Sequence, residues 1–405
     1  MGIRTLSAPP RPLGPPAIER PVLRPASLVE GIGQALSIKV NNLVYELRSA
    51  GRDVITMSLG EAFFALPDLA LESLVAGDAI HHYSHSRGLP QLRARVARYC
   101  QDDLRVPVDP ASEIIVTAGS KAAIYMSLLA VLEPGDEVII PEPFWLSYPE
   151  QVSMCRGRPV MVPHDESVFD IVRYLSPRTR AIIINNPNNP SGKLYTEGEL
   201  RFLHELAREQ NVLLIADEAY NEFVPPTTTF MSCGELDPDK HHTVIVNSMS
   251  KNFGISGWRV GYVVAHRSLT DQILKINQHL VTCAPTILQW YLAEHFDDVL
   301  EVTRPQIRNV VALRNRAAGW LAEAGIDMMP GTATFYLFAS LGRSRLTSTE
   351  FTTRLLRDSG VSVVAGIGYG ASCDRYIRIS IGAEPEDRIY RGFDAVRRLI
   401  EETQP

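Results

Sequence analysis

Short runs of apolar, mostly β-branched residues alternate with amphipathic stretches over the first two thirds of the chain. The runs at residues 53–59, 114–117, 137–140, 181–185, 212–216 and 243–247 predict strands. Between them, apolar residues recur three to four positions apart. This predicts helices over 36–50, 90–100, 122–132 and 197–209, the second with Pro90 in its first turn. Continuous apolar strands separated by amphipathic helices predict an α/β fold, with a mostly parallel sheet covered on both faces. After about residue 283 the texture changes. A long helix is expected over 302–324, then strands near 334–339, 361–364 and 376–381 with helices between and after, as in a smaller α+β unit. Residues 1–28 are rich in Pro and Arg and lack periodicity, and are expected to be a mobile arm. No internal repeat is found.

Composition narrows the class. A chain of 405 residues, 45% hydrophobic, holds more core than one small domain needs. The net charge of -6 argues against a nucleic-acid partner. No apolar stretch reaches the roughly 18 residues of a membrane span. The opening MGIRTLSAPPRPLGPPAIERP has no apolar core, so a secretory signal is not expected. Met1-Gly2 is not read as a lipidation site, since Ser7 is off the usual hydroxyl position. The 5 cysteines are scattered with no CxxC pair, as in a reducing, cytoplasmic setting, and no metal is expected.

An open α/β sheet places its ligand outside the carboxyl ends of the strands. The chemically suggestive residues fall at such ends. Asp217 stands at the tip of the run Ile215-Ala216-Asp217-Glu218-Ala219-Tyr220, where alone it fits a helix cap or salt bridge as well as a cleft acid. Lys251 follows Ser248 and Ser250 after the next run, and alone fits a solvated loop lysine. Arg259 comes soon after, so hydroxyls and a bidentate cation could together take an anion. Thr117-Ala118-Gly119-Ser120-Lys121 joins a strand to a helix start, whose free N–H groups favour a phosphate, though such turns are common. Asn185-Asn186-Pro187-Asn188-Asn189-Pro190 is a rigid polar turn able to hold an amide over a ligand.

Together these segments resemble a known family. SMSKNFGISGWRVG (248–261) is similar to the lysine signature of class I aminotransferases, which are fold-type-I pyridoxal-phosphate enzymes. DEAY (217–220), NNPNNPSG (185–192), TAGSKAA (117–123) and YIRIS (376–380) resemble the family's other motifs in the family's order. EPFWLSYPE (142–150) points to the bacterial aspartate and aromatic subgroup, and the likeness spans roughly 31–399. The resemblance implies a seven-stranded-type sheet sandwiched by helices in a large cofactor domain at 59–295. A small domain would combine 29–58 with 296–405. It implies pyridoxal 5'-phosphate held by Lys251 as a Schiff base, with Lys251 also shuttling the proton. Asp217 would pair with the pyridine nitrogen, Tyr220 and Asn189 would bond the phenolic oxygen, and Trp145 would stack on the ring. Gly119, Ser120, Lys121, Ser248, Ser250 and Arg259 would hold the phosphate. Arg378, helped by the backbone of Gly60, would take the substrate carboxylate, beside Trp145 and Asn189. Tyr83 would reach the phosphate of a second subunit, which implies a homodimer with shared sites. The substrates implied are an L-amino acid and a 2-oxo acid.

The pattern departs where relatives read GEPDF and this chain has Gly60-Glu61-Ala62-Phe63-Phe64, at Ser84-His85-Ser86-Arg87, and at Val363-Val364-Ala365-Gly366. Phe63, His85 and Arg87 are therefore candidates to steer the substrate. Lys121, with Ser37, matches a pair that reaches an acidic side chain in some relatives. Elimination, cyclisation or oxidation of an amino acid on the same fold stays open as an alternative. A non-catalytic effector-binding domain would need a DNA-binding unit, for which the first 28 residues are too short.

Overall fold

The computed structural model describes residues 25–66 and 77–405, so most of the proline-rich segment lies outside the described residues. The chain builds strands β1 (Ile55–Thr56), β2 (Ile114–Thr117), β3 (Glu137–Pro141), β4 (Arg158–Val162), β5 (Thr179–Asn185) and β6 (Leu213–Asp217). It continues with β7 (Thr243–Ser248), β8 (Gly261–Val264), β9 (Tyr336–Ser340), β10 (Val361–Ser362), β11 (Val364–Ala365) and β12 (Tyr376–Ser380). Seven of them form one sheet in the order β2-β8-β7-β6-β5-β3-β4. Every pair is parallel except those of β8, which runs antiparallel to β2 and β7. The central strands are apolar and buried along almost their whole length, as a sheet covered on both faces requires.

Local signals set the helices that cover the sheet. Helix Glu197–Gln210 is opened by a capping box of Thr196 and Glu199 and closed by Asn211 in the left-handed conformation. Helix Pro90–Leu104 carries its proline in the first turn. A separate sheet of order β11-β12-β9 is antiparallel, and β1 pairs in parallel with β10.

Several expectations change in detail. The strand read over 53–59 shrinks to two residues, because only Ile55 and Thr56 find partners on β10. The run at 361–364 splits into β10 and β11, which serve different sheets. β4 was not expected: it is an edge strand holding Pro159 and half-exposed side chains, so it lacks the apolar signal. β8 was also hidden, being four residues long. The helix expected from 302 is the second half of Thr286–Glu323, which contains Pro305 and a non-helical residue at His295. No helix among the described residues is long and apolar enough to cross a membrane.

Candidate active site

β5, β6 and β7 lie side by side and end in Asn185, Asp217 and Ser248. Register sets Asn185 against Asp217 and Asp217 against Val246. A cavity of about 330 Å³ opens outside these ends. Its walls include Ser120, Lys121, Trp145, Asn189, Asp217, Tyr220, Ser248, Ser250, Lys251 and Arg259. From distant parts of the chain come Ser37, Gly60, Glu61, Tyr336 and Arg378.

Lys251 sits in the short helix Met249–Asn252, and its Nζ donates to the carbonyl of Gly60. The protein packed around that amine pushes its pKa down to about 8, against an opposing pull from Glu61. Asp217 is buried and accepts from Tyr148 Oη at 2.6 Å and from the Ala219 amide at 3.3 Å. Burial raises its carboxyl to about 6, opposed by the two hydrogen bonds and by the charge of Lys251. Among the described residues it forms no ion pair. A buried acid with no ion-pair contact is an incomplete arrangement.

Tyr220 Oη accepts from Asn189 Nδ2 at 3.4 Å and lies 3.0 Å from Tyr336 Oη. Asn189 is itself tied down through its amide, which donates to Asn185 Oδ1 at 2.6 Å. Arg378 donates through Nη2 to the Ser58 carbonyl at 2.6 Å and through Nη1 to Asn189 Oδ1 at 3.4 Å. Its Cζ lies 4.7 Å from the Tyr336 ring centre and 5.6 Å from that of Tyr369. Its Nε is buried without a partner, and among the described residues no carboxylate meets this cation.

A third group is built for an anion. Helix Ser120–Val131 begins at the cavity, behind Gly119 at φ 80°. A Cβ on Gly119 would stand 2.5 Å from Arg259 Nη2, so glycine is what lets the guanidinium lie across the turn. Arg259, itself at φ 57°, donates to the Ser256 carbonyl at 2.7 Å and to Ser250 Oγ at 3.3 Å. Trp145 meets Tyr148 edge-on at 5.3 Å, and Lys121 Nζ lies 5.0 Å from the Trp145 ring centre.

The site residues expected from the sequence therefore converge, with two exceptions. Gly119 supports the anion group from just behind the wall. Tyr83 is 84% exposed and does not line the cavity of its own chain. The proposed steering residues also stand apart. Phe63 is exposed, and Arg87 is held by Asp271 and by the Ser112 carbonyl at 3.0 Å. His85 Nδ1 accepts from the Arg87 amide at 3.1 Å. None of the three lines the cavity. Sequence reading missed Tyr148, Tyr336 and Ser58. Tyr148 stood in the quoted EPFWLSYPE segment, three residues after Trp145, whereas nothing local marks Tyr336.

A buried amine, a buried acid in no ion pair, a turn rich in N–H and hydroxyl groups beside Arg259, and a guanidinium that meets no carboxylate among the described residues thus surround one cavity. Comparison with known proteins narrows this. The family described as aminotransferase class I and II matches residues 52–392. An aspartate aminotransferase of Geobacillus stearothermophilus is 32% identical over 393 residues, covering 93% of this chain and 98% of the relative. An aromatic-amino-acid aminotransferase of Thermococcus litoralis is 29% identical, covering 89% and 95%. The structure of the Thermus thermophilus aspartate aminotransferase with maleate superposes with a TM-score of 0.85 at 27% identity, covering 93% and 100%. The chain belongs to the class I and II aminotransferases. It transfers amino groups; elimination, cyclisation and oxidation are not favoured.

Proposed function

We propose that the cavity holds pyridoxal 5'-phosphate on Lys251 and that the protein moves the amino group of a dicarboxylic L-amino acid to a 2-oxo acid. The observation that carries this is the buried amine of Lys251 in one cavity with Asp217, a buried acid that makes no ion pair among the described residues. The donor set fits the cofactor. Ser120, Ser248, Ser250 and Arg259 would hold its phosphate, with Gly119 and Lys121 shaping the turn. Asp217 would supply the negative partner for its ring nitrogen, Trp145 would cover its face, and Tyr220 and Asn189 would donate to its ring oxygen.

When bound, the cofactor supplies an aldehyde for amines and a ring that accepts electrons from the substrate Cα. The residues do the rest. Lys251, with its pKa lowered, presents a neutral amine that takes and returns the Cα proton. Arg378, ringed by Tyr336 and Tyr369 and not by acids, keeps its fork for the substrate α-carboxylate, and the backbone of Gly60 lies beside it. Lys121 in the same cavity meets no carboxylate among the described residues, and Ser37 lines that cavity too. Burial first, then Arg259, lowers its pKa. An acidic substrate side chain would supply the missing charge. The test is a half-reaction. Mixed with L-aspartate or L-glutamate and no oxo acid, the holoenzyme is expected to lose its near-visible band and regain it with 2-oxoglutarate. Ammonia release with an unchanged band would overturn amino transfer, and faster bleaching by L-phenylalanine would overturn the acidic preference.

We also infer a homodimer. Tyr83 is exposed and does not line its own cavity, and Leu28, Val29, Tyr45, Leu280 and Ile287 leave apolar surface exposed. Tyr83 of each copy would reach the phosphate held by the other. Light scattering is expected to give twice the chain mass of 44.9 kDa; a single-chain mass would contradict it. Residues 59–295 are taken as the cofactor-binding unit, and 29–58 with 296–405 as the smaller one, since β1 pairs with β10. The unpaired cysteines agree with a cytoplasmic setting.

A further inference from the structure

We propose that Tyr336 is a positioning residue that couples carboxylate binding at Arg378 to the phenol of Tyr220. This rests on the cofactor reading above and goes beyond it, since Tyr336 has no part in holding the cofactor or in moving the proton.

The sheet puts Tyr336 in place. In the β9–β12 ladder Tyr336 stands opposite Ser380, so Arg378, two residues earlier on β12, is its diagonal neighbour on the same face. The backbone there is pinned: the Tyr336 amide donates to Thr334 Oγ1 at 3.1 Å, and its carbonyl accepts from Arg314 Nε at 3.0 Å. The ring therefore lies 4.7 Å from the guanidinium carbon, while the hydroxyl reaches Tyr220 at 3.0 Å. One fully buried side chain touches both the substrate-carboxylate site and the residue expected on the cofactor's ring oxygen.

Either phenol can donate in this contact, and the coupling requires that Tyr336 donate to Tyr220. Only one phenol of the pair can donate to the other. Asn189 Nδ2 already donates toward Tyr220 Oη at 3.4 Å. With Tyr336 donating as well, the Tyr220 proton is free to point into the cavity, toward the ring oxygen. The charged groups acting on Tyr336 are Arg378, which favours its ionised form, and Glu61, which opposes it. Those acting on Tyr220 include Arg378 and Asp217. A carboxylate docking on Arg378 neutralises the cation beside the Tyr336 ring. Tyr336 then becomes a weaker donor, and Tyr220 in turn gives less to the ring oxygen. With the cofactor bound, its near-visible band would then titrate with a higher midpoint.

The test is spectroscopic. Holoenzyme absorbance is titrated against pH, alone and with succinate or 3-phenylpropionate, for wild type, Tyr336→Phe and Tyr220→Phe. Phenylalanine keeps the ring and its packing and removes only the hydroxyl. In Tyr336→Phe the midpoint is expected to rise by about half a pH unit and kcat to fall about fivefold, the size of one hydrogen bond. The rise caused by either carboxylate is expected to be at least halved in both variants. A wild-type midpoint in Tyr336→Phe, or a full carboxylate response in either variant, overturns the coupling. A wild-type protein that shows no titrating band with pyridoxal phosphate overturns the cofactor reading and this coupling with it.

Discussion

Lys251→Ala is expected to abolish the near-visible band of the holoenzyme and to lower turnover by about 10⁴-fold or more, the upper range for losing a positioned acid–base group. On the proposed function the variant removes two things together: the amine that would bond the cofactor and the base that would move the substrate proton. No second amine stands ready for either task. Lys121, the other lysine in the cavity wall, lies against Trp145. Lys251 also donates to the Gly60 carbonyl, so its loss loosens the contact between the lysine helix and the segment after β1. Added methylamine should restore part of the rate, because a free amine can replace the base but not its placement. A retained band, or turnover within tenfold of wild type, would sink the assignment.

Asp217→Asn is expected to lower turnover by about 10³-fold, as for other removed charge partners in water-excluded sites, and yet to stabilise the cofactor-free protein. Asparagine keeps its one oxygen for Tyr148, gives up the longer 3.3 Å bond from the Ala219 amide and discards the charge. The sign follows from burial. The folded carboxyl titrates near 6, above its ordinary 3.8, so the folded state binds the proton more tightly. Stability is then lost as pH rises from 3.8 to about 6, and the full cost is present above that. The gap is worth about 3 kcal/mol at about 1.4 kcal/mol per pH unit. Urea unfolding of the cofactor-free forms should therefore show Asp217→Asn ahead of wild type at pH 7.5, with the lead shrinking toward pH 4. Cofactor should reverse the order by favouring wild type. A cofactor-free variant no more stable than wild type at pH 7.5 would remove the idea that this acid is held in an unfavourable state for a cationic partner.

How much of this was legible in the sequence depended on distance along the chain. Asp217, Ser248 and Lys251 sit at the ends of apolar runs, so pattern alone brought them to one edge of the sheet. The anion turn at Gly119 and Ser120 was legible for the same reason. Tyr336 was not, because its importance comes from a diagonal across an antiparallel ladder that no local period encodes. Arg87 failed in the other direction. As a residue in an unusual segment it suggested substrate contact, but the fold gives it Asp271 as a partner. β4 was invisible because an edge strand needs only one buried neighbour and tolerates proline.

The parallel pairing of β1 with β10 has a consequence for how the molecule comes into being. Ser58, which follows β1, supplies the carbonyl that anchors Arg378, and the two residues are 320 positions apart. During synthesis the early segment emerges first and has no strand to join until the last quarter of the chain has left the ribosome. The seven-stranded sheet, complete by Val264, can close long before that. The clamp proposed for the substrate carboxylate is thus among the last features to be assembled. A nascent chain stalled before Arg378 would carry the lysine and its acid but lack the means to hold an amino acid by its carboxylate.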